Sequence, residues 1–127
     1  METYVSNSVL HFEHTIWHNE LLFWEDEIKI FRNRLEQILD RWTNHAVLAD
    51  LDHFQNQFEI HQAKIDSLRD AIEYHEHTLA IMTVSDPEII NVNSYKLHLN
   101  IRKRMETERE VYNDLKKQFF GYLSRYL

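Results

Sequence analysis

Cysteine is missing from this chain altogether, and glycine and proline occur once each. The first absence excludes disulfide frameworks, thiolate metal sites and thiol redox chemistry. The second argues against a sheet architecture, because sheets need several tight turns and long helices need few. Positive charge is also short: 14 Lys and Arg stand against 21 Asp and Glu, a formal charge of -7. A surface of that sign repels phosphate, and no basic block offsets it, so no nucleic acid partner is expected. No apolar run approaches the roughly 18 residues of a membrane span. The first residues, METYVSNSV, lack the basic stretch followed by an apolar stretch that marks a signal peptide. The expectation is a cytoplasmic protein with no membrane partner. Gly-rich phosphate loops and nucleophile elbows are absent as well, which leaves a metal as the route to any catalysis.

What is present is a core. Hydrophobic residues make up 43% of the chain, with three Trp, six Tyr and seven Phe, more than a disordered segment carries. The length suits one domain, residues 1–127. Apolar residues recur in alternating steps of three and four, the spacing of one stripe on a bundled helix. The first stripe runs from Leu10 through Trp17, Leu21 and Trp24 to Ile38 and Trp42. The second runs from Val47 through Phe54 and Phe58 to Leu79 and Met82, and the third from His98 through Ile101 and Met105 to Phe119, Tyr122 and Tyr126, with Asn91 and Ser94 upstream. Ser6, Asn7 or Ser8 can cap the first helix, Thr43-Asn44-His45 makes a short break, and Asp86-Pro87-Glu88 is a helix-start signal. The helices are expected at about 8–42, 46–83 and 87–126, each roughly 50 Å long. A start of the third helix near Asn93 is the other reading. Short connections make neighbours antiparallel, so the expected fold is all-α: an elongated antiparallel three-helix bundle, coiled-coil-like and left-handed, with a dimer also in view.

Antiparallel partners have a constant sum of residue numbers. With turns near residues 44 and 86, sums of about 89 and about 173 align the three stripes rung by rung. Eight rungs are then largely apolar. The ninth is His14/His75/His98. A longer second loop would instead bring His98 toward His77. The same register makes the first and third helices parallel with an offset of about 84, which would set Glu20 beside Arg104, Glu25 beside Arg109 and His18 beside Arg102.

Three imidazoles on one rung can ligate a transition metal, since imidazole suits Zn, Cu, Fe and Ni. Three His ligands also leave a fourth position for water or substrate, as in catalytic zinc sites. The metal set expected here is His14, His75, His98, His18 and His77, holding a Zn, Fe or Cu ion, with His11 close by. Glu13, Glu73 and Glu76 are near enough to ligate or to orient a ring. Two metal-free readings stand beside it: a polar layer that fixes register, and a layer that senses pH. A second polar interruption joins His61, Glu108 and Tyr112, with Glu27 within reach of His61. It reads either as a ligand or proton-transfer set or as a hydrogen-bonded trio. No Glu-x-x-His occurs, which excludes the di-iron carboxylate pattern of helical bundles.

The first helix carries a further apolar strip, Phe12, Ile16, Phe23 and Ile30, with Leu22 nearby, and Ile60, Tyr74 and Ile81 flank the second helix. Part of that strip is expected to serve the contacts of a three-helix core; the rest could cover a homodimer interface or a partner helix. The functional expectation is a metal-binding helical bundle, and its rival is a metal-free helical interaction module.

Overall fold

A stripe of apolar side chains at steps of three and four must be buried against something, and three such stripes can bury one another. The computed structural model describes residues 7–42, 44–82 and 92–126. They form three helices, α1 (Asn7–Leu39), α2 (His45–Met82) and α3 (Val92–Tyr126), with no strand among the described residues. α1 stops short of its expected end at about 42. Asp40 and Arg41 leave it in a turn in which the Arg41 N–H donates to the Ile38 carbonyl at 3.0 Å. Asn44 caps α2: its Oδ1 accepts the N–H groups of Ala46 at 2.9 Å and Val47 at 3.3 Å, two donors that the helix cannot satisfy itself. Ser6 and the Asp86-Pro87-Glu88 start signal lie outside the described residues.

The stripes meet as the rung sums require. Phe31 packs on Phe58 with ring centroids 5.4 Å apart, Phe54 on Phe119 at 5.4 Å, His61 on Tyr112 at 5.7 Å and His14 on His75 at 4.9 Å. Leu10, Leu79 and Ser94 are all buried and make one more rung beyond the histidines. The apolar centre of gravity lies toward the first turn, where Phe31, Phe54, Phe58 and Phe119 interlock at 5.1–5.5 Å. Each buried ring or branched chain there contributes about 1.5–3 kcal/mol of transfer free energy.

The closest helix approaches are α1 on α2 and α2 on α3. The α1–α3 seam is closed by long side chains in three pairs at heptad spacing. Arg102 grips Glu13 through Nε at 2.8 Å and Nη2 at 2.6 Å, Arg109 grips Glu20 with the same two distances, and Lys116 reaches Glu27 at 3.1 Å. This corrects the expected neighbours. Glu20 pairs with Arg109 rather than Arg104, Glu25 with Arg69 on α2 rather than Arg109, and Arg104 bonds Ser67. The core offset is 84, as His14 and His98 show, but each flanking pair is separated by 89. A long side chain on the rim crosses a parallel seam obliquely and meets a residue almost one and a half turns further along.

These pairs also explain a second difference. The α3-facing flank of α1 is occupied by Glu13, Glu20 and Glu27, so the apolar strip beyond them is not absorbed into the core. Phe12, Ile16, Phe23 and Ile30 are 47–65% exposed, and Val9 extends the strip at 55%. Leu22, Ile60 and Tyr74 are exposed too. No helix among the described residues is long and apolar enough to cross a membrane.

Candidate metal centre

The heptad phase that buries Leu10, Trp17 and Leu21 also buries His14, and the same holds for His75 between Ile72 and Leu79 and for His98 before Ile101. All three imidazoles are 0–3% exposed. One nitrogen from each converges, the three lying within 4.8 Å of one another. His14 Nε2 is 3.0 Å from His75 Nδ1 and 3.1 Å from His98 Nδ1. Trp17 stacks on the His98 ring at 4.8 Å and forms the floor of the layer.

What each ring does with its other nitrogen decides the chemistry. His75 Nε2 lies 2.9 Å from the Ser94 carbonyl, which can only accept, so that nitrogen carries the proton. His98 Nε2 lies 2.6 Å from Glu13 Oε1, and His14 Nδ1 bonds Glu76 Oε2. Burial raises both carboxyls, but the hydrogen bonds from Arg102 and His98 to Glu13, and from His14 and His11 to Glu76, outweigh it. Both groups stay ionised at neutral pH and accept. For neutral rings, all three protons therefore point outward, and the three inner nitrogens are bare acceptors facing one another. Bare acceptors cannot satisfy one another, and buried polar atoms without a partner are costly. One cation at the centre satisfies all three.

A proton on His75 or His98 is disfavoured there. Burial, reinforced by the neighbouring His14, pushes His75 down to about 4. Burial also lowers His98, against the pull of Glu13. A metal ion suits better. Tetrahedral zinc with Zn–N near 2.0–2.1 Å separates its ligand nitrogens by roughly 3.3–3.4 Å, a few tenths of an ångström wider than the spacing seen. The outward hydrogen bonds to Glu13, Glu76 and the Ser94 carbonyl are the usual second partners of a metal-bound imidazole, fixing tautomer and ring angle.

His18 and His77 do not join this set. Both are exposed and line a groove of roughly 520 Å³ between α1 and α2, together with His11, Glu73 and Glu76. They sit on the flanks of their helices, one step off the buried stripe. Glu13 and Glu76 orient rings rather than face the centre. Residue types could not have revealed the Ser94 carbonyl, since it is backbone.

The middle interruption splits in two. His61 Nδ1 bonds Glu108, and both are buried. Tyr112 O–H donates to Glu27 at 3.0 Å, beside Lys116. Glu27 thus serves Tyr112 and Lys116 instead of His61, because it lies on the α3-facing flank of α1. Burial, helped by the Glu27 charge, holds the Tyr112 hydroxyl far above its ordinary range, so it stays protonated. Each of these four side chains has a partner, and among the described residues no third ligand joins His61 and Glu108, which is the hydrogen-bonded reading.

No family model, curated protein or solved structure matches this chain.

Two outcomes follow from the burial. In chelator-treated protein the unfolded chain protonates His75 near 6.5, whereas the folded protein resists until about 4. The unfolded state binds more protons in that window, so the His75 contribution is complete above about pH 6.5 and is lost as pH falls toward 4, by up to about 3 kcal/mol. His98 adds in the same direction. Urea midpoints should drop across this range, and His75→Leu should flatten the curve; a flat wild-type profile contradicts burial of a neutral ring. For the second pair, Glu108→Ala should cost about 3–5 kcal/mol, while the double change His61→Leu/Glu108→Leu should stay within about 1 kcal/mol of wild type. A Glu108→Ala cost below about 1 kcal/mol in denaturant unfolding would remove the buried-pair account.

Proposed function

We propose that the protein binds a single first-row transition-metal ion through His14, His75 and His98, and that holding this ion is its function, as a store, buffer or sensor. The observation that carries the reading is the convergence of one nitrogen from each buried ring, with an oxygen acceptor beside the other nitrogen of all three. An all-imidazole set suits Zn, Cu and Fe, and His14 Nε2 lies 3.0 and 3.1 Å from the other two inner nitrogens, a few tenths of an ångström short of the ligand spacing around tetrahedral zinc. The fourth position falls to water. Full burial of the ligands supports holding over turnover, since a substrate would need a path to the inner nitrogens.

Purified protein, stripped with chelator and titrated with zinc, should take up one ion per chain by calorimetry and elemental analysis. Its melting temperature should rise by roughly 10 °C or more at saturating metal. His75→Leu should lose both uptake and the rise while keeping the metal-free helical content. Absence of uptake of zinc, iron, copper and nickel alike refutes the reading.

A second reading rests on the strip of α1 and does not exclude the first. Val9, Phe12, Ile16, Phe23 and Ile30, half to two-thirds exposed, present on the order of 500 Å² of mostly apolar area, against roughly 800 Å² per partner in a standard interface. Val9, Ile16, Phe23 and Ile30 recur every seven residues, so an antiparallel second copy pairs Val9 with Ile30 and Ile16 with Phe23 about a dyad. Sedimentation of wild type should show a dimer that Ile16→Glu/Phe23→Glu converts to monomer. A wild-type protein that stays monomeric at about 100 µM or above, where any Kd tighter than that would show, contradicts a homodimer.

A further inference from the structure

The three inner nitrogens are sealed, so an ion that reaches them must pass through a wall. Over His98 the α1–α3 face is closed by the Glu13–Arg102 fork, and His98 itself is 0% exposed. Behind His75 the Ser94 carbonyl occupies the ring edge, and His75 is also 0% exposed. His14 is different: its outer edge contributes to the open α1–α2 groove, the same groove lined by His11, His18, His77, Glu73 and Glu76. Five of the groove's side chains besides His14 can therefore ligate a metal.

Glu76 ties that groove to the centre. One carboxylate oxygen takes the Nδ1 proton of the exposed His11, and the other takes the Nδ1 proton of the buried His14. A single side chain thus spans from solvent to the first ligand of the layer. His18 stands two turns along α1 from His11, and His77 one turn along α2 from Glu73, so ligand atoms from both helices face the groove from either wall. The arrangement is too open to be a closed site of its own: among the described residues only the buried trio brings three ligand atoms together. A loose set of imidazoles and carboxylates exchanges ions quickly, whereas a buried one holds them.

We propose that this groove is the port through which the transition-metal ion is captured and passed to the triad, with His11, His18, His77 and Glu73 as the outer capture set and Glu76 as the gate over His14. The inference rests on the metal reading of the triad. The ion sheds hydration water for the outer imidazoles, and the two carboxylates, in a chain of charge -7, draw a cation to this mouth. Swinging Glu76 away from His14 frees that ring to tilt and expose its inner nitrogen. The ion then exchanges the outer ligands for His14 Nε2, His75 Nδ1 and His98 Nδ1, and Glu76 returns to hold the His14 tautomer. No bond other than metal–ligand bonds changes.

Cobalt(II) uptake followed by its visible absorption in a stopped-flow instrument tests this on the full chain. The variant His11→Ala/His18→Ala/His77→Ala removes exposed side chains only. It should take up Co(II) at least about tenfold more slowly than wild type, while reaching the same one-ion stoichiometry and the same final spectrum. The control His45→Ala/His53→Ala removes two exposed histidines at the opposite end of the bundle and should leave the rate unchanged. A triple variant that loads within twofold of wild type overturns the port. So does one that loses the final stoichiometry or alters the final spectrum, since its residues would then be permanent ligands. If wild type itself takes up no Co(II), the triad reading fails and the port fails with it; slow loading and absent loading are separate readouts.

Discussion

Three hydrogen bonds on the outside of the histidine layer determine what the inside can be. Glu76, the Ser94 carbonyl and Glu13 each claim one ring nitrogen as a donor. With the protons held outward, the inner nitrogens have no donor among themselves and face one another as acceptors. The three acceptors come from all three helices in cyclic order: α2 orients the α1 ring, α3 orients the α2 ring, and α1 orients the α3 ring. Moving any helix by one turn would break two of these contacts at once. The layer therefore specifies register in addition to any ion it holds, and the two roles share the same atoms.

The rest of the fold keeps that arrangement in place. Heptad-spaced pairs along the α1–α3 seam set the height of His98 against His14, and Glu13 does both jobs, bonding Arg102 and His98. Surface pairs of this type contribute little each, so their value lies in direction: they disfavour neighbouring registers more than they deepen the native one. The stability comes from the other end, where Phe31, Phe54, Phe58 and Phe119 interlock. The bundle is thus polar at one end and aromatic at the other. Such a division lets the histidine end carry depressed ring basicities without unfolding the whole.

The stripes are legible because the helix period leaves little freedom: a buried face at steps of three and four has one phase. The short first turn then pairs His14 with His75, whereas the sequence leaves His98 near either His75 or His77, and the packed structure places it with His14 and His75. Proximity along the chain is a weaker guide than helical phase. His18 and His77 lie within a turn of the layer, yet their positions on the wheel put them on the flank. Rim pairs such as Glu20–Arg109 depart from the core register because their side chains are long enough to reach past their own rung. The Ser94 carbonyl left no trace in residue types, since any residue at that height presents the same backbone acceptor. The separation of His61–Glu108 from Tyr112–Glu27 depended on side-chain direction across seams, which a linear pattern does not contain.

The metal reading and the port both follow from one assertion, that three bare imidazole nitrogens converge and share one ion. X-ray absorption at the zinc edge on the one-to-one zinc complex examines that assertion without reference to any activity. The account predicts three imidazole nitrogens at about 2.0–2.1 Å with a single light fourth ligand. A shell dominated by oxygen, or one with fewer than three imidazoles, would contradict it.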